Sequence, residues 1–330
     1  METIHPDSLL PLEDFAQDYL QDKDHHSEIR TEDLAESFRA FCGLPPFPTL
    51  DDLVRACERL GIALDKLPAV TKLSGANTWS AGSGHSIFLR SDVNVAHAES
   101  TLSHEMREVI EQTFRRVKPR YVGLETHDNR SMNPRSDHFA GCLLMPRELT
   151  KARLRELGYD VVTFSYEVGR SLSSVIVRAQ EIYAASQPTG IVGGLWLFQM
   201  PWTDSLPDVV PAAKMTLAYK AHLSGFSIQS TKKKGQSSLL RATFPNKGSA
   251  VADFDVTMRA FRTRRAVIKL VEGFDLLRER DYLVAAEPIV SGGVPWRILM
   301  TAVRSDFVEQ VEPWTTRLGV PWEGGAYQSA

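Results

Sequence analysis

One segment in the N-terminal half of the chain most constrains how it can fold. Side chains suited to a core recur there every three or four residues, which is the spacing of one face of an α-helix. The stripe is formed by Leu102, Met106, Val109, Thr113 and Val117 and is widened by Ile110 and Phe114. The pattern predicts a long amphipathic helix that packs its apolar face against a core.

The polar side of this predicted helix carries His104, Glu105 and Glu108. In an HExxH motif, two histidines one turn apart bind a metal ion and the glutamate between them activates a bound water. Glu108 stands here in place of the second histidine. The i, i+4 spacing still puts His104 and Glu108 on one face, so both are candidate metal ligands and Glu105 is the candidate general base. This donor set would accept zinc. Because one ligand is a carboxylate, it would suit manganese or iron better than a site with two histidines does. The alternative is a site without metal.

A second motif follows further along the chain, Phe139-Ala140 with Leu143-Leu144-Met145-Pro146 after it. Together with Thr101-Leu102-Ser103-His104-Glu105, it resembles the ImmA/IrrE family of metallopeptidases over residues 45–150. The usual family form is TLAHExGH, followed by E-x-E-A-N-x-FA-x-x-LLMP. The resemblance implies a zincin-like core of helices and a small β-meander. In that core, Ser86 to Arg90 would form the edge strand before the active helix.

Matched residue by residue, the resemblance keeps one metal ligand and the base and loses two ligands. His104 falls on the first ligand and Glu105 on the general base. Glu108 and Asn133 fall on the second and third ligands, where the family has histidine and glutamate. Asp137 lies one turn after Asn133 and would supply a substitute oxygen to the metal.

The third-ligand position allows other interpretations. Asn133 precedes Pro134, and such a pair commonly starts a helix with Asn as the cap. We favour the cap over the ligand. His138 is a further candidate ligand, less well aimed than Asp137. The histidine and glutamates of the active helix could also be hydrogen-bonded or solvated residues on a scaffold that has lost catalysis.

Length and composition predict more than one domain, and the succession of helical and short alternating segments predicts an α+β protein. The chain has 330 residues, of which 43% are hydrophobic. We assign residues 1–30 to a mobile N-terminal arm or marginal helix and 31–158 to the metallopeptidase-like core. A helix-turn-helix-like segment follows at 159–187. Apolar alternating runs in 190–330 predict a separate α+β domain, the place that a GAF-like sensor domain occupies in longer ImmA/IrrE relatives.

Nucleic-acid binding has two candidate elements. The second helix of the helix-turn-helix-like segment offers Arg178 as its base-reading side chain, with Ser173 and Ser174 nearby, which is poor equipment for a major groove. We therefore favour packing of this helical pair against the protein. The best local basic patch consists of Lys232, Lys233, Lys234, Arg259, Arg262, Arg264 and Arg265. A solvated loop and helix face is the favoured interpretation of that patch.

Charge, cysteines and hydropathy set further expectations. The formal net charge of -3 gives no global signature of nucleic-acid or membrane binding. Cys42, Cys57 and Cys142 are too far apart for a CxxC metal site and are expected to be reduced core residues. No run has the length of a signal peptide or membrane span. The sequence predicts a cytoplasmic protein with no membrane partner.

Three functional hypotheses follow. The first is a regulatory metallopeptidase, in which a metal on His104 and Glu108 activates water, Glu105 takes its proton, and the resemblance implies a transcriptional repressor as the partner that is cleaved. The second is an inactive pseudopeptidase that binds a protein or DNA partner and senses a ligand through its C-terminal domain. The third is a DNA-binding regulator that uses the helical pair and the basic patch.

Overall fold

The computed structural model describes residues 11–24, 29–120, 132–184, 193–200, 212–223, 249–271, 281–291, 294–304 and 316–319. The chain divides into two compact units, residues 1–150 and 151–330. Both contain helices and a β-sheet, so the chain is α+β as predicted. The predicted helical pair belongs to the second unit.

The first unit is built around one long helix. Its helices are α1 (Pro11–Leu20), α2 (Thr31–Phe41), α3 (Leu50–Arg59), α4 (Val95–Val117) and α5 (Met132–Leu144), and α6 (Arg147–Glu156) continues across the unit boundary. Helix α4 packs against α1, α3 and α5. Leu102, Met106 and Val109 of its predicted stripe are fully buried, which confirms the helix face predicted from the apolar spacing.

Helix α1 lies in the segment that the sequence predicts as a mobile arm or a marginal helix. Its apolar side chains, Leu12, Phe15, Ala16 and Leu20, are buried in the core of the unit. They fall at the spacing of one helix face, so they can be buried together. The ring of Tyr19 stacks on that of Phe114 in α4, with centroids 5.5 Å apart. Of the predicted arm, residues 1–10 and 25–28 lie outside the described residues.

A three-stranded sheet packs beside α4. Its strands β1 (Ala63–Leu67), β2 (Gly75–Ser80) and β3 (Gly84–Arg90) lie in the order β1-β3-β2. Strand β3 pairs parallel with β1 and antiparallel with β2. The prediction of a meander with Ser86 to Arg90 at its edge was therefore wrong, because β3 is central and β2 is at the edge. Strand β3 carries the buried Ile87, as suits a central strand.

The second unit contains a five-stranded antiparallel sheet in the order β5-β4-β8-β7-β6. Its elements are α7 (Val161–Glu167), α8 (Leu172–Ala184), β4 (Gly193–Gln199), β5 (Thr216–Leu223), α9 (Asp255–Thr263), β6 (Val267–Val271), β7 (Tyr282–Ser291) and β8 (Val294–Arg304), with short 3₁₀ turns at Ala212–Lys214 and Val251–Asp253. Trp196, Phe198 and Met300 are fully buried in its core. Helix α8 packs against β5.

The α7 and α8 pair is a packing element. Arg178, the predicted base-reading residue, is only 1% exposed and forms an ion pair with Glu181 at 3.1 Å. Its guanidinium therefore cannot reach a base edge while α8 is packed in this way. Of the predicted basic patch, residues 232–234 lie outside the described residues, and Arg262, Arg264 and Arg265 are exposed.

The cysteine prediction agrees with the structure, since Cys42, Cys57 and Cys142 are buried thiols. Among the helices that the structure describes, none has both the length and the apolar character to cross a bilayer.

Candidate functional site

Four of the predicted site residues come together where α4 packs on α5. His104, Glu105 and Glu108 project from α4, and Asp137 projects from α5. The side chains of His104 and Glu108 are each 19% exposed, so they are shielded without being sealed from solvent. Asn94 precedes helix α4, and its side chain accepts a hydrogen bond from the His97 backbone N–H and so caps the first turn.

Both ring nitrogens of His104 face carboxylates. Nδ1 lies 2.8 Å from Oδ1 of Asp137, and Nε2 lies 3.3 Å from Oε1 of Glu108. Burial alone lowers the pKa of His104, but the hydrogen bonds with Asp137 and Glu108 more than offset this and raise it to about 10. The imidazole is therefore protonated at neutral pH and is shared by two helices as a cation.

Asn77 on strand β2 joins the two glutamates of α4. Its Nδ2 donates to Oε2 of Glu105 at 2.6 Å and to Oε2 of Glu108 at 2.8 Å. Gln112, one turn beyond Glu108, donates to Oδ1 of Asn77 at 2.7 Å and fixes the orientation of the amide. Sequence reasoning missed Asn77, because no motif spacing relates a strand residue to a helix that follows it. It also missed Gln112, although the i, i+4 spacing from Glu108 places Gln112 on the same helix face.

Gly75 allows β2 to approach α4 closely. A Cβ atom at this position would lie 2.4 Å from Cγ2 of Thr101 and 2.9 Å from Oε1 of Glu105. Both distances are shorter than van der Waals contact permits. The missing side chain therefore lets Asn77, two residues further along the strand, reach the glutamates of α4.

The pKa values of the two glutamates are shifted in opposite directions from the ordinary value. Burial raises the pKa of Glu105, and the hydrogen bond from Asn77 opposes this in part. The hydrogen bond with His104 lowers the pKa of Glu108. Glu108 is therefore the counter-ion of the imidazolium, and Glu105 is the better proton acceptor of the pair near neutral pH.

The donor set fits a metal ion only in part. Glu108 Oε1 lies beside Nε2 of the His104 ring, so these two atoms could bind a cation together. Asp137 is bonded to the opposite ring nitrogen, the place of a group that orients a metal-bound histidine. A catalytic zinc has three protein ligands. Of the side chains described at this edge, two are suitable ligands; the side chain of Asn133 lies outside the described residues.

His138, the second candidate for the third ligand, lies against α2. Its Nε2 is 4.0 Å from Oε1 of Glu32. The structure therefore places His138 in a different cluster from His104, although it follows Asp137 directly in the sequence.

Comparison with known proteins gives a likeness of fold. No family model matches the sequence, and no curated protein matches it. A solved structure of a Mycobacterium tuberculosis transcriptional regulator matches with a TM-score of 0.54 and 12% sequence identity, over 93% of this chain and 84% of that chain. At this identity the comparison establishes that the two chains are similar in fold.

Proposed function

We propose that this chain is a regulatory protein with an ImmA/IrrE-like, zincin-like N-terminal unit that works as a pseudopeptidase binding module. The observation that carries the proposal is the amide of Asn77, which donates to both Glu105 and Glu108. The proposed general base and the proposed second ligand are thus held by one protein side chain. In this state the carboxylates of Glu105 and Glu108 both have a hydrogen-bond partner within the protein.

The protonation of His104 supports the same proposal. A metal ligand must be a neutral imidazole. Because the two carboxylates raise the pKa of His104 well above neutrality, the protonated form predominates at pH 7. A metal would have to displace this proton and separate His104 from Glu108.

The rest of the chain supports a regulatory role. The protein with a similar fold is described as a transcriptional regulator, which favours a protein or DNA partner. The five-stranded antiparallel sheet of the second unit is compatible with a GAF-like sensor. The partner would therefore bind one unit while the other responds to a small molecule.

A metallopeptidase is the second candidate, and the contact between His104 Nδ1 and Asp137 favours it. A carboxylate at this nitrogen fixes the ring so that Nε2 points at a metal. His104 and Glu108 would then hold a divalent zinc, manganese or iron ion, which supplies an activated water when bound. Glu105 would accept the proton of that water before attack on a peptide bond of a partner repressor.

Elemental analysis of the parent and of His104→Ala, after exposure to zinc, manganese and iron in turn, tests the proposal. We expect the metal content of the parent and of His104→Ala to be the same. The double variant Glu108→His with Asn133→Glu restores the family's ligands, and we expect it to gain zinc that His104→Ala removes. Near-stoichiometric metal in the parent that is lost in His104→Ala would overturn the pseudopeptidase proposal. Circular dichroism of each variant checks that it is folded.

A further inference from the structure

A second group of ligand-type side chains lies between α2 and α5, away from the HExxE helix. Glu32 comes from the first turn of α2, and His138 and Cys142 come from α5. One ligand atom from each lies within 4.8 Å of the other two. His138 and Cys142 are four residues apart, so they share one face of α5.

This group is distinct from the His104 network. Successive residues of an α-helix point about 100° apart. Asp137 accordingly reaches His104 on α4, while His138 lies against Glu32 on α2. Helix α5 thus presents a different ligand cluster to each of two neighbouring helices.

We propose that Glu32, His138 and Cys142 bind a divalent transition metal ion, with zinc as the preferred ion. A thiolate and an imidazole favour zinc over magnesium, calcium or manganese, and the carboxylate completes a set of three protein ligands. The fourth tetrahedral position is left for water or a ligand from a partner. Coordination releases the thiol proton of Cys142 to solvent.

The distances suit a site that closes around its ion. Ligands at about 2.0–2.3 Å from zinc on a tetrahedron lie roughly 3.6 Å from one another. The present group spans up to 4.8 Å, so the ligand atoms would have to move closer together to reach bonding geometry. Arg147 Nη2 lies 2.7 Å from Glu32 Oε1 and holds this carboxylate beside α5.

Burial is graded across the group in a way that suits an ion entering from solvent. Cys142 is 2% exposed and provides the inner ligand, whereas the side chains of Glu32 and His138 are 20% and 37% exposed. An ion would meet the imidazole and the carboxylate first and the thiol last. Once bound, it would tie α2 to α5 next to the residue that holds His104.

Cobalt is the probe for the test, because a cobalt–thiolate bond gives a charge-transfer absorption that a cobalt–carboxylate or cobalt–imidazole bond lacks. The full chain is stripped with chelator under reducing conditions and titrated with Co²⁺, then with Zn²⁺ in competition. We expect one equivalent of Co²⁺ with the thiolate band, and displacement by zinc. Zinc should also raise the melting temperature of the parent, since the ion binds the folded state.

Three variants assign the ligands. Cys142→Ser should abolish the band, and His138→Ala and Glu32→Gln should weaken Co²⁺ binding by more than the roughly 10–100-fold that loss of a group supporting a ligand costs. Cys57→Ser, at another buried thiol, and His104→Ala, in the other network, should leave the band and the affinity unchanged. If the pseudopeptidase proposal is wrong, metal is lost in His104→Ala while the thiolate band of Cys142 is kept. That outcome is distinguishable from failure of the site proposed here.

Two results would overturn the metal site. The first is a parent that binds neither Co²⁺ nor Zn²⁺, in which case Glu32 and Arg147 form only an ion pair between helices. The second is a thiolate band that survives Cys142→Ser or disappears in Cys57→Ser. If Cys142→Ser does not fold, judged by circular dichroism, Glu32→Gln decides the question, and an affinity equal to that of the parent would count against the proposal.

Discussion

The Nδ1 atom of His104 lies 2.8 Å from Oδ1 of Asp137, so a carboxylate on α5 holds the imidazole of α4. Loss of this partner should lower the pKa of His104 from its value of about 10. We expect Asp137→Asn to show this in the pH titration of the His104 ring by NMR. An unchanged titration would contradict the assigned hydrogen bond. His97→Gln, at an exposed position on α4, is the control.

The same contact predicts the direction of a pH effect on stability. The folded pKa of His104, about 10, exceeds the ordinary value of 6.5. Its stabilising contribution is therefore complete below about pH 6.5 and is lost as the pH rises towards 10. The Asp137 side chain is 72% exposed, so screening limits the effect of Asp137→Asn to about 1 kcal/mol. Denaturant unfolding of parent and variant at pH 6 and pH 10 should show a difference that shrinks at the higher pH.

Asn77→Ala should destabilise the first unit. The substitution removes the donor shared by Glu105 and Glu108 and leaves the buried carboxylate of Glu105 and the partly buried one of Glu108 with one hydrogen bond fewer each. We expect a loss of about 1–3 kcal/mol in the free energy of unfolding. Thr78→Ala, at the exposed neighbouring position, should change it by less than about 0.5 kcal/mol. Equal effects of the two variants in urea titrations would show that the amide has no special role.

Gly75→Ala tests the close approach of β2 to α4. The new methyl group would overlap Thr101 and Glu105, and such overpacking costs about 1–3 kcal/mol. At Gly82 a Cβ would meet nothing within 4 Å, so Gly82→Ala should be nearly neutral. Thermal unfolding of both variants makes the comparison. Equal melting temperatures would show that the strand can move away from the helix without loss.

Removal of Glu111 should cost more than removal of its surface partner. Glu111 bridges Arg107 at 3.3 Å, where both side chains are buried, and Arg115 at 2.9 Å, which is partly exposed. Glu111→Ala leaves the Arg107 cation buried without its counter-ion and should cost about 3–5 kcal/mol. Arg115→Ala should cost about 0–1 kcal/mol. Urea unfolding of the two variants measures the difference, and a similar loss in both would contradict a buried ion pair.

Local patterns predicted the elements that depend on local spacing. Helix α4 followed from its apolar stripe, and the i, i+4 relation placed His104 and Glu108 side by side as expected. Helix α1 was one of two alternatives for the N-terminal segment, because its apolar face is short and flanked by acidic residues, so its burial depends on α4 more than on its own propensity.

Contacts between distant elements were beyond such patterns. The order of β1 and β2 around β3 depends on long-range pairing, which the strand signals do not encode. Asn77 reaches Glu105 only because Gly75 lets the strand approach, and Glu32 meets His138 only because α2 packs on α5. In each of these contacts, the separation of the two residues in the sequence is unrelated to the periodicity of a helix or a strand.

The two neighbouring residues on α5 that serve different helices limit the insertions and deletions the chain can accept. One residue added early in α5 would turn both Asp137 and His138 by about 100° about the helix axis. The contact to His104 and the contact to Glu32 would then be lost in a single step, whereas substitutions remove them separately. Length variation in this helix is therefore expected to be tolerated less well than change of side-chain type.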